Sequence, residues 1–365
     1  MSTLSVCMIV RDEELTIERI LKQVKKFADE IVVVDTGSQD KTKEFAYKYT
    51  SNIYDFVWQD DFSLARNFSF EKATMDYIMW LDADDYITSK NILRLNELKN
   101  NLNQFDMIYL PYETSFNESG KCTFRYLRER IVKNNPHFKW SGQVHEVLTP
   151  YGKSSIFDIA IQHKKIKTNE SERNLKIYRS MIKSGKILQA REQFYYSNEL
   201  YYNGYYEDAI YNYNKFLKCK NKFVENAIQA LINLSKIYKI QKNIEMCKKS
   251  LFETFLYDTP RSEVLCELGH IYFEEQNFQT AIYYYKLAIQ KPNTNSFAFV
   301  SLEMYDFIPY LQIALCYYYL KNYKMAVKFN KKALKINKKS QIAIGNQRFY
   351  EFALNLEQEK QSKKK

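Results

Sequence analysis

Leu4-Ser5-Val6-Cys7-Met8-Ile9-Val10-Arg11-Asp12-Glu13-Glu14 is a short apolar run, with β-branched residues along it, that stops abruptly in charge. Such a run reads as a buried parallel strand whose carboxyl end opens into a polar loop. The pattern recurs at Ile31–Val34, which leads into Asp35-Thr36-Gly37-Ser38-Gln39-Asp40, and at Tyr77–Leu81, which leads into Asp82-Ala83-Asp84-Asp85. Between these runs Leu15–Phe27 and Thr42–Tyr49 show helical spacing, and a further helix is expected from Thr88-Ser89, either of which could cap it, toward Gln104. Strands alternating with helices of this length predict βαβ units and a parallel sheet. From Phe105 to His163 the pieces are shorter and strand-like, which predicts an added antiparallel section, and Glu170–Lys186 reads as a linking helix.

The second half has a different period. Leu268-Gly269, Tyr272, Asn277, Ala281 and Ala288 mark a helix–turn–helix, and 34 residues earlier Leu234, Tyr238, Asn243 and Cys247 stand in the same order. Moving forward by 45 gives Ile313, Ala314, Tyr317, Asn322, Ala326 and Ala333, so an insertion is expected around Asn293–Glu303. An earlier copy surrounds Leu200, Tyr206 and Ala209. This spacing, with small residues where helices touch, resembles the tetratricopeptide repeat. Its tyrosine clusters, such as Tyr283-Tyr284-Tyr285, read first as repeat packing.

Composition bounds the rest. The 365 residues are 45% hydrophobic, enough for two domains with separate cores. No stretch reaches the ~18 apolar residues of a membrane span, and no basic-then-apolar signal segment is seen. The six cysteines (Cys7, Cys122, Cys219, Cys247, Cys266, Cys316) contain no Cys-x-x-Cys pair, which suggests reduced thiols and a cytoplasmic setting. Residues 1–165 hold 22 Lys and Arg against 24 Asp and Glu, whereas residues 166–365 hold 32 against 19. The net charge of +11 therefore comes wholly from the second half, which marks two domains with different partners. The expected division is 1–165 for the α/β domain, 166–190 for a linking helix, 191–358 for the helical repeats and 359–365 for a basic tail.

Ligands of open parallel sheets bind beyond the carboxyl ends of the strands. Arg11 to Glu14, Asp35 to Asp40 and Asp82 to Asp85 should thus converge on one edge, with no Gly-rich phosphate loop to suggest a dehydrogenase or kinase. Clustered carboxylates repel one another, so a cation is their natural complement, and hard oxygen ligands favour magnesium or manganese.

These three segments, in this order, resemble family 2 glycosyltransferases. The resemblance covers roughly residues 1–165 and implies a GT-A fold, an α/β Rossmann-like mixed sheet, ahead of the all-α repeat solenoid. It implies that Asp35 contacts the nucleobase or ribose of a donor, with Arg11 and Glu13 in the same pocket wall. Asp82-x-Asp84 would be the DxD motif, with Asp82 near the ribose or sugar and Asp84 on the metal. Trp58-Gln59-Asp60-Asp61-Phe62-Ser63-Leu64-Ala65-Arg66-Asn67 resembles a signature of one branch, making Arg66 a candidate for the diphosphate or ribose; the alternative is an ion pair with Asp60 or Asp61. Trp140-Ser141-Gly142-Gln143-Val144-His145-Glu146 resembles the element where inverting members keep the acceptor-side acid.

An inverting transfer needs a base for the acceptor's proton. Glu146 is the first candidate and His145 the second, and most members keep an aspartate in a Glu-Asp pair here, so this pattern departs from them. Imidazole could instead order the loop or touch the phosphates. His163, at the end of a strand-like segment, is a candidate metal or diphosphate ligand or a structural histidine. The resemblance implies a UDP-sugar donor, with UDP-glucose expected. Such a domain followed by tetratricopeptide repeats is similar to sublancin-type peptide glycosyltransferases, which modify cysteine and sometimes serine in a bacteriocin precursor. The repeats would hold the peptide. The alternatives are a cell-surface or lipid-linked glycan acceptor, with peripheral membrane contact through the basic half, and a non-catalytic repeat scaffold. No nucleic-acid partner is expected, and a homodimer through the repeats is a further option.

Overall fold

The computed structural model describes residues 2–166, 172–292 and 296–362. The chain divides into two compact units, one of residues 1–114 and 126–203, the other of residues 115–125 and 204–365.

In the first unit the expected strand–helix alternation is present: β1 (Leu4–Val10), α1 (Ile17–Val24), β2 (Glu30–Asp35), α2 (Thr42–Tyr47), β3 (Ile53–Asp55), α3 (Phe62–Glu71), β4 (Tyr77–Trp80), β5 (Asp85–Tyr86) and α4 (Ser89–Lys99). Then come β6 (Met107–Phe116) and β7 (Cys122–Lys133), of which residues 115–125 belong to the second unit, and β8 (Trp140–Ser141), β9 (Val147–Leu148), β10 (Ser154–Ile156), β11 (Ile161–His163), α5 (Arg173–Lys183) and α6 (Ala190–Tyr202). The sheet order is β3-β2-β1-β4-β7-β6-β11-β5, with β10 beside β6 and β8–β9 a separate ribbon. β1 pairs in parallel with both β2 and β4, which turns the carboxyl ends of these three strands to one edge. The later section is mixed rather than purely antiparallel: β7 runs antiparallel to β4, but β10 and β11 run parallel to β6.

Both faces of this sheet are buried, as the continuous apolar strands require. Leu4, Val6, Met8, Val10, Ile31, Val33, Tyr77 and Met79 pack on one side with Ile17, Ile20, Leu21 and Val24 of α1 and with Ile92, Leu95 and Leu98 of α4. Cys7, Val32, Val34, Ile78 and Trp80 pack on the other with Phe70 of α3 and Trp140. The period-2 alternation of each strand is what distributes them. Thr88 caps α4 by accepting from Asn91 N, and Asp61 caps α3 by accepting from Leu64 N.

The first unit runs on past the linking helix expected over 166–190. α5 buries Leu175, Ile177, Tyr178 and Met181, and the last three pack with Val144 against Trp58, Phe62, Leu188, Tyr195 and Tyr196. An amphipathic helix with such an apolar face packs instead of spanning solvent. Helix α6, read from sequence with the repeats, groups with the first unit as well.

The second unit contains α7 (Tyr206–Leu217), α8 (Val224–Ile240), α9 (Ile244–Glu253), α10 (Ser262–Glu274), α11 (Phe278–Ala288), β12 (Val300–Ser301), α12 (Phe307–Tyr319), α13 (Tyr323–Ile336) and α14 (Gln341–Ser362). The sequence period is visible atom by atom in the turns. Lys242, Gln276 and Lys321 each adopt a left-handed φ, of 59°, 58° and 57°. The next residue, Asn243, Asn277 or Asn322, donates its N–H to the carbonyl of Tyr238, Tyr272 or Tyr317 and caps the following helix. Gly269 has no side chain because Tyr285 lies where one would go: a Cβ would meet its ring at 2.9 Å. The inserted residues before the last copy include β12, which pairs with Phe124 and Arg125. Asn293–Asn295 and Lys363–Lys365, part of the expected insertion and basic tail, lie outside the described residues, as does the start of the helix expected from Glu170. No helix among the described residues is long and apolar enough to cross a membrane.

Candidate active site

Asp35 closes β2 and is almost wholly buried. Its Oδ1 accepts from Gly37 N and Ser38 N, both at 2.8 Å, and Gly37 takes φ 105° to make that turn. Its Oδ2 is buried and accepts no hydrogen bond among the described residues. Buried carboxylate oxygens are normally satisfied, so this one keeps the capacity to accept a further hydrogen bond. The surrounding polar residues are engaged in stitching two loops together. Asp12 N donates to Ser38 Oγ, Gln39 N to Asp12 Oδ1, Glu13 N to Thr42 Oγ1 and Glu14 N to Asp40 Oδ2. Glu13 Oε2 also accepts from Thr16 Oγ1. Arg11 stays largely exposed, 4.0 Å from Asp12.

The loop Asp82–Asp85 follows β4 at the same edge. Asp85 is its anchor: fully buried, it accepts from Arg130 Nη1 at 3.0 Å, Tyr112 Oη at 2.8 Å and Asp82 N at 3.0 Å. Burial pushes its carboxyl up to about 6 against the pull of Arg130. Asp84 is partly exposed, and its carbonyl is held by Arg19 Nη2 and Lys164 N. The ladder between β5 and β11 pairs His163 with Asp85, which carries the imidazole to this loop. His163 Nδ1 lies 3.4 Å from Asp84 Oδ1.

Asp84, Asp85 and His163 hold ligand atoms within 4.8 Å of one another. Two carboxylates and an imidazole suit a divalent cation such as magnesium or manganese. Asp85 already satisfies three donors, one of them a guanidinium, so Asp84 and His163 are the residues with capacity to bind an ion.

Arg66 lies on the other side of Asp82. It does not pair with Asp60, which accepts from Trp58 Nε1, or with Asp61, which caps α3. Its Nη2 donates to Asp82 Oδ1 at 2.9 Å and its Nε to Glu146 Oε1 at 2.6 Å. Burial works against this guanidinium, but Asp82 and Glu146 more than offset it and hold it charged. Burial also opposes the Asp82 carboxylate, yet Arg66, with Arg130 and Arg128 behind it, keeps the carboxyl low, at about 2. The three arginines stack about Trp80, with Arg66 at 4.5 Å, Arg128 at 4.7 Å and Arg130 at 3.8 Å from its ring centre.

The loop bearing Glu146 is fastened at several points. Asn67 exchanges hydrogen bonds with the backbone of Trp140, and Phe62 N donates to Gln143 O. His145 takes a left-handed φ of 53°, stacks on Tyr195 at 4.2 Å and pairs through Nε2 with Glu199 Oε1 at 2.7 Å. Arg191 holds its carbonyl. His145 is therefore turned to α6, while Glu146 is turned to Arg66.

Residues 5–145 match the glycosyl transferase family 2 model, and residues 262–290 and 309–340 match a tetratricopeptide repeat. The first segment is a family 2 glycosyltransferase domain, and tetratricopeptide repeats follow it. A TPR repeat-containing protein of Synechococcus elongatus is 34% identical over 148 residues, 40% of this chain and 36% of that protein. The SPbeta prophage-derived glycosyltransferase SunS of Bacillus subtilis is 27% identical over 257 residues, 66% of this chain and 60% of that one. The chain thus spans between about a third and three fifths of the length of these relatives. Among solved structures, S. aureus TarS with UDP-GlcNAc is 14% identical, covering 68% of this chain and 90% of that chain, with a TM-score of 0.37.

Within the glycosyltransferase domain the sequence motifs and the observed cluster overlap in part. Arg66, Asp82 and Glu146 meet directly, and Asp84 and His163 form a second group beside them. His145 is near in sequence but engaged elsewhere. Tyr112, Arg128, Arg130 and Arg19 escaped the motif reading. The one cue for the first three was polar side chains set within otherwise apolar strands, at Tyr112 and at Arg128-Glu129-Arg130. Arg19 sits on α1 among residues that look like an ordinary solvated face.

Proposed function

We propose that the chain is an inverting, metal-dependent hexosyltransferase. It moves a hexose from a UDP-sugar, with UDP-glucose the first donor to try, to a cysteine or serine side chain of a bacteriocin-type precursor peptide. The observation that carries this reading is Arg66, whose one guanidinium ties the donor-side acid Asp82 to Glu146. In the proposed roles Asp35, with Arg11 and Glu13, receives the nucleobase and ribose, and the unsatisfied Asp35 Oδ2 supports that assignment. Asp84 and His163 hold the divalent ion. When bound, that ion offsets the negative charge of the diphosphate.

The acceptor sulfur attacks the anomeric carbon from the face opposite the diphosphate. The carbon–sulfur bond forms as the carbon–oxygen bond breaks, UDP departs with the electron pair, and Glu146 takes the thiol proton. A thiol, with an ordinary pKa of about 8.5, asks less of its base than an alcohol does. That suits a carboxylate already tied to an arginine. His145, pinned between Tyr195 and Glu199, holds the loop in register. The repeats supply a surface suited to an extended or helical peptide, and their basic excess favours an acidic leader.

The test is to incubate the full chain with UDP-glucose, manganese and a cysteine-containing precursor peptide and to weigh the peptide. A hexose increment, abolished in Asp84→Ala, is the expected result. An unchanged peptide with a labelled lipid extract would move the acceptor to a lipid-linked glycan. Absence of any UDP-sugar turnover would sink the enzyme reading.

A further inference from the structure

Tyr112 on β6 touches two groups at once. Its Oη lies 2.8 Å from Asp85 Oδ1 and 2.8 Å from His163 Nδ1. The sheet register makes this contact: Ile161 of β11 pairs with Tyr112 while His163 pairs with Asp85, so three adjacent strands present the three side chains together.

A phenol has one proton and can donate it to only one of these neighbours. An ordinary phenol, with a pKa of about 10, keeps its proton at neutral pH. Asp85 Oδ2 is served by Arg130 and Asp82 N, whereas Oδ1 has Tyr112 as its donor. An ionised carboxylate in a buried site is a stronger acceptor than a neutral imidazole nitrogen. The proton therefore points to Asp85, and the tyrosine presents lone pairs to Nδ1, which must donate. Asp84 Oδ1, 3.4 Å from the same nitrogen, is a second acceptor for that N–H.

We propose that Tyr112 is a positioning residue that holds His163 as its Nδ1–H tautomer, which orients Asp84 and leaves Nε2 as the nitrogen open to a metal ion. This rests on the metal reading only for its final step. Partners of this kind, one shell behind a metal ligand, commonly change metal affinity by about 10- to 100-fold.

The experiment uses the full chain without metal, at a pH raised until the His163 signals stop changing, so that its imidazole is neutral. Four histidines are present, so nitrogen NMR of a histidine-labelled sample, with the His163→Gln spectrum as reference, identifies the His163 signals. The wild type is expected to show a protonated Nδ1 and a bare Nε2. Tyr112→Phe keeps the ring that packs on Tyr126 and Arg130, and it is expected to shift His163 toward the Nε2–H form and to weaken manganese binding about tenfold. A wild-type spectrum with the proton on Nε2, or an unchanged tautomer in Tyr112→Phe, would overturn the proposal. The metal reading fails separately, if His163→Gln leaves manganese affinity unchanged while the tautomer result stands.

Discussion

Arg66 Nε donates to Glu146 Oε1 across 2.6 Å, with the side chains only 8% and 11% exposed. The same guanidinium reaches Asp82, so two acids that would otherwise repel are held by one cation. Removing a partner from a buried, hydrogen-bonded charge cluster costs about 2–5 kcal/mol. Arg66→Ala is expected to lower kcat/KM for transfer by roughly 10²–10³-fold. Arg66→Lys should recover little of it, because an ammonium cannot span both carboxylates from this position. Steady-state kinetics decides the matter: activity within twofold of wild type in Arg66→Ala would show that the clamp is idle.

Glu146 and His145 are neighbours with different surroundings, and their variants should differ. Glu146→Gln removes the proposed base while preserving shape. Its transfer rate should fall by about 10²–10⁴-fold with donor binding little changed. His145→Gln can still donate to Glu199 and should keep activity within about tenfold, with a lower melting temperature from loss of the stack on Tyr195. The reverse order of the two variants would reassign the base to His145.

Metal binding should weaken in acid. An imidazole ligand must be neutral. Burial lowers the pKa of His163, but its hydrogen bond and charge interaction with Asp84 outweigh this and hold it above the ordinary 6.5. As pH falls through that raised value the proton competes with the ion, and manganese affinity should drop by up to about tenfold per pH unit. Calorimetric titration at several pH values checks this. An affinity flat from pH 8 to about pH 6 would remove His163 from the ligand set.

The repeats offer a paired stability test at two glycines. Gly269→Ala drives a methyl into the Tyr285 ring at 2.9 Å and should cost about 1–3 kcal/mol, less the helix preference of alanine. Gly345→Ala in α14 meets nothing within 4 Å and should stabilise by about 0.5–1 kcal/mol. Thermal melts of the two variants should move in opposite directions.

Strand β1 begins and ends where the apolar run does, at Leu4 and Val10, because a strand buried on both faces must be continuously apolar. Asn243, Asn277 and Asn322 stood out in the sequence as recurring positions of the repeat, and the structure gives each the work of a cap, a local contact between a side chain and an N–H three residues on. The boundary near residue 203 was not. Whether α5 and α6 end one unit or begin the next depends on what covers their apolar faces, and Val144, Trp58 and Phe62 lie far away in sequence.

The site divides along the same line. By itself the sequence determined that acids would gather at one sheet edge, because parallel strands point their carboxyl ends together and each ended in Arg11, Asp35 or Asp82. Only the tertiary structure decided which acids are spoken for. Asp85 belongs to Arg130 and Tyr112, Asp82 and Glu146 to Arg66, and His145 to Glu199, through pairings across 16 to 80 residues. Those pairings follow strand register and loop closure, and a few ångströms there separate an anchor from a ligand.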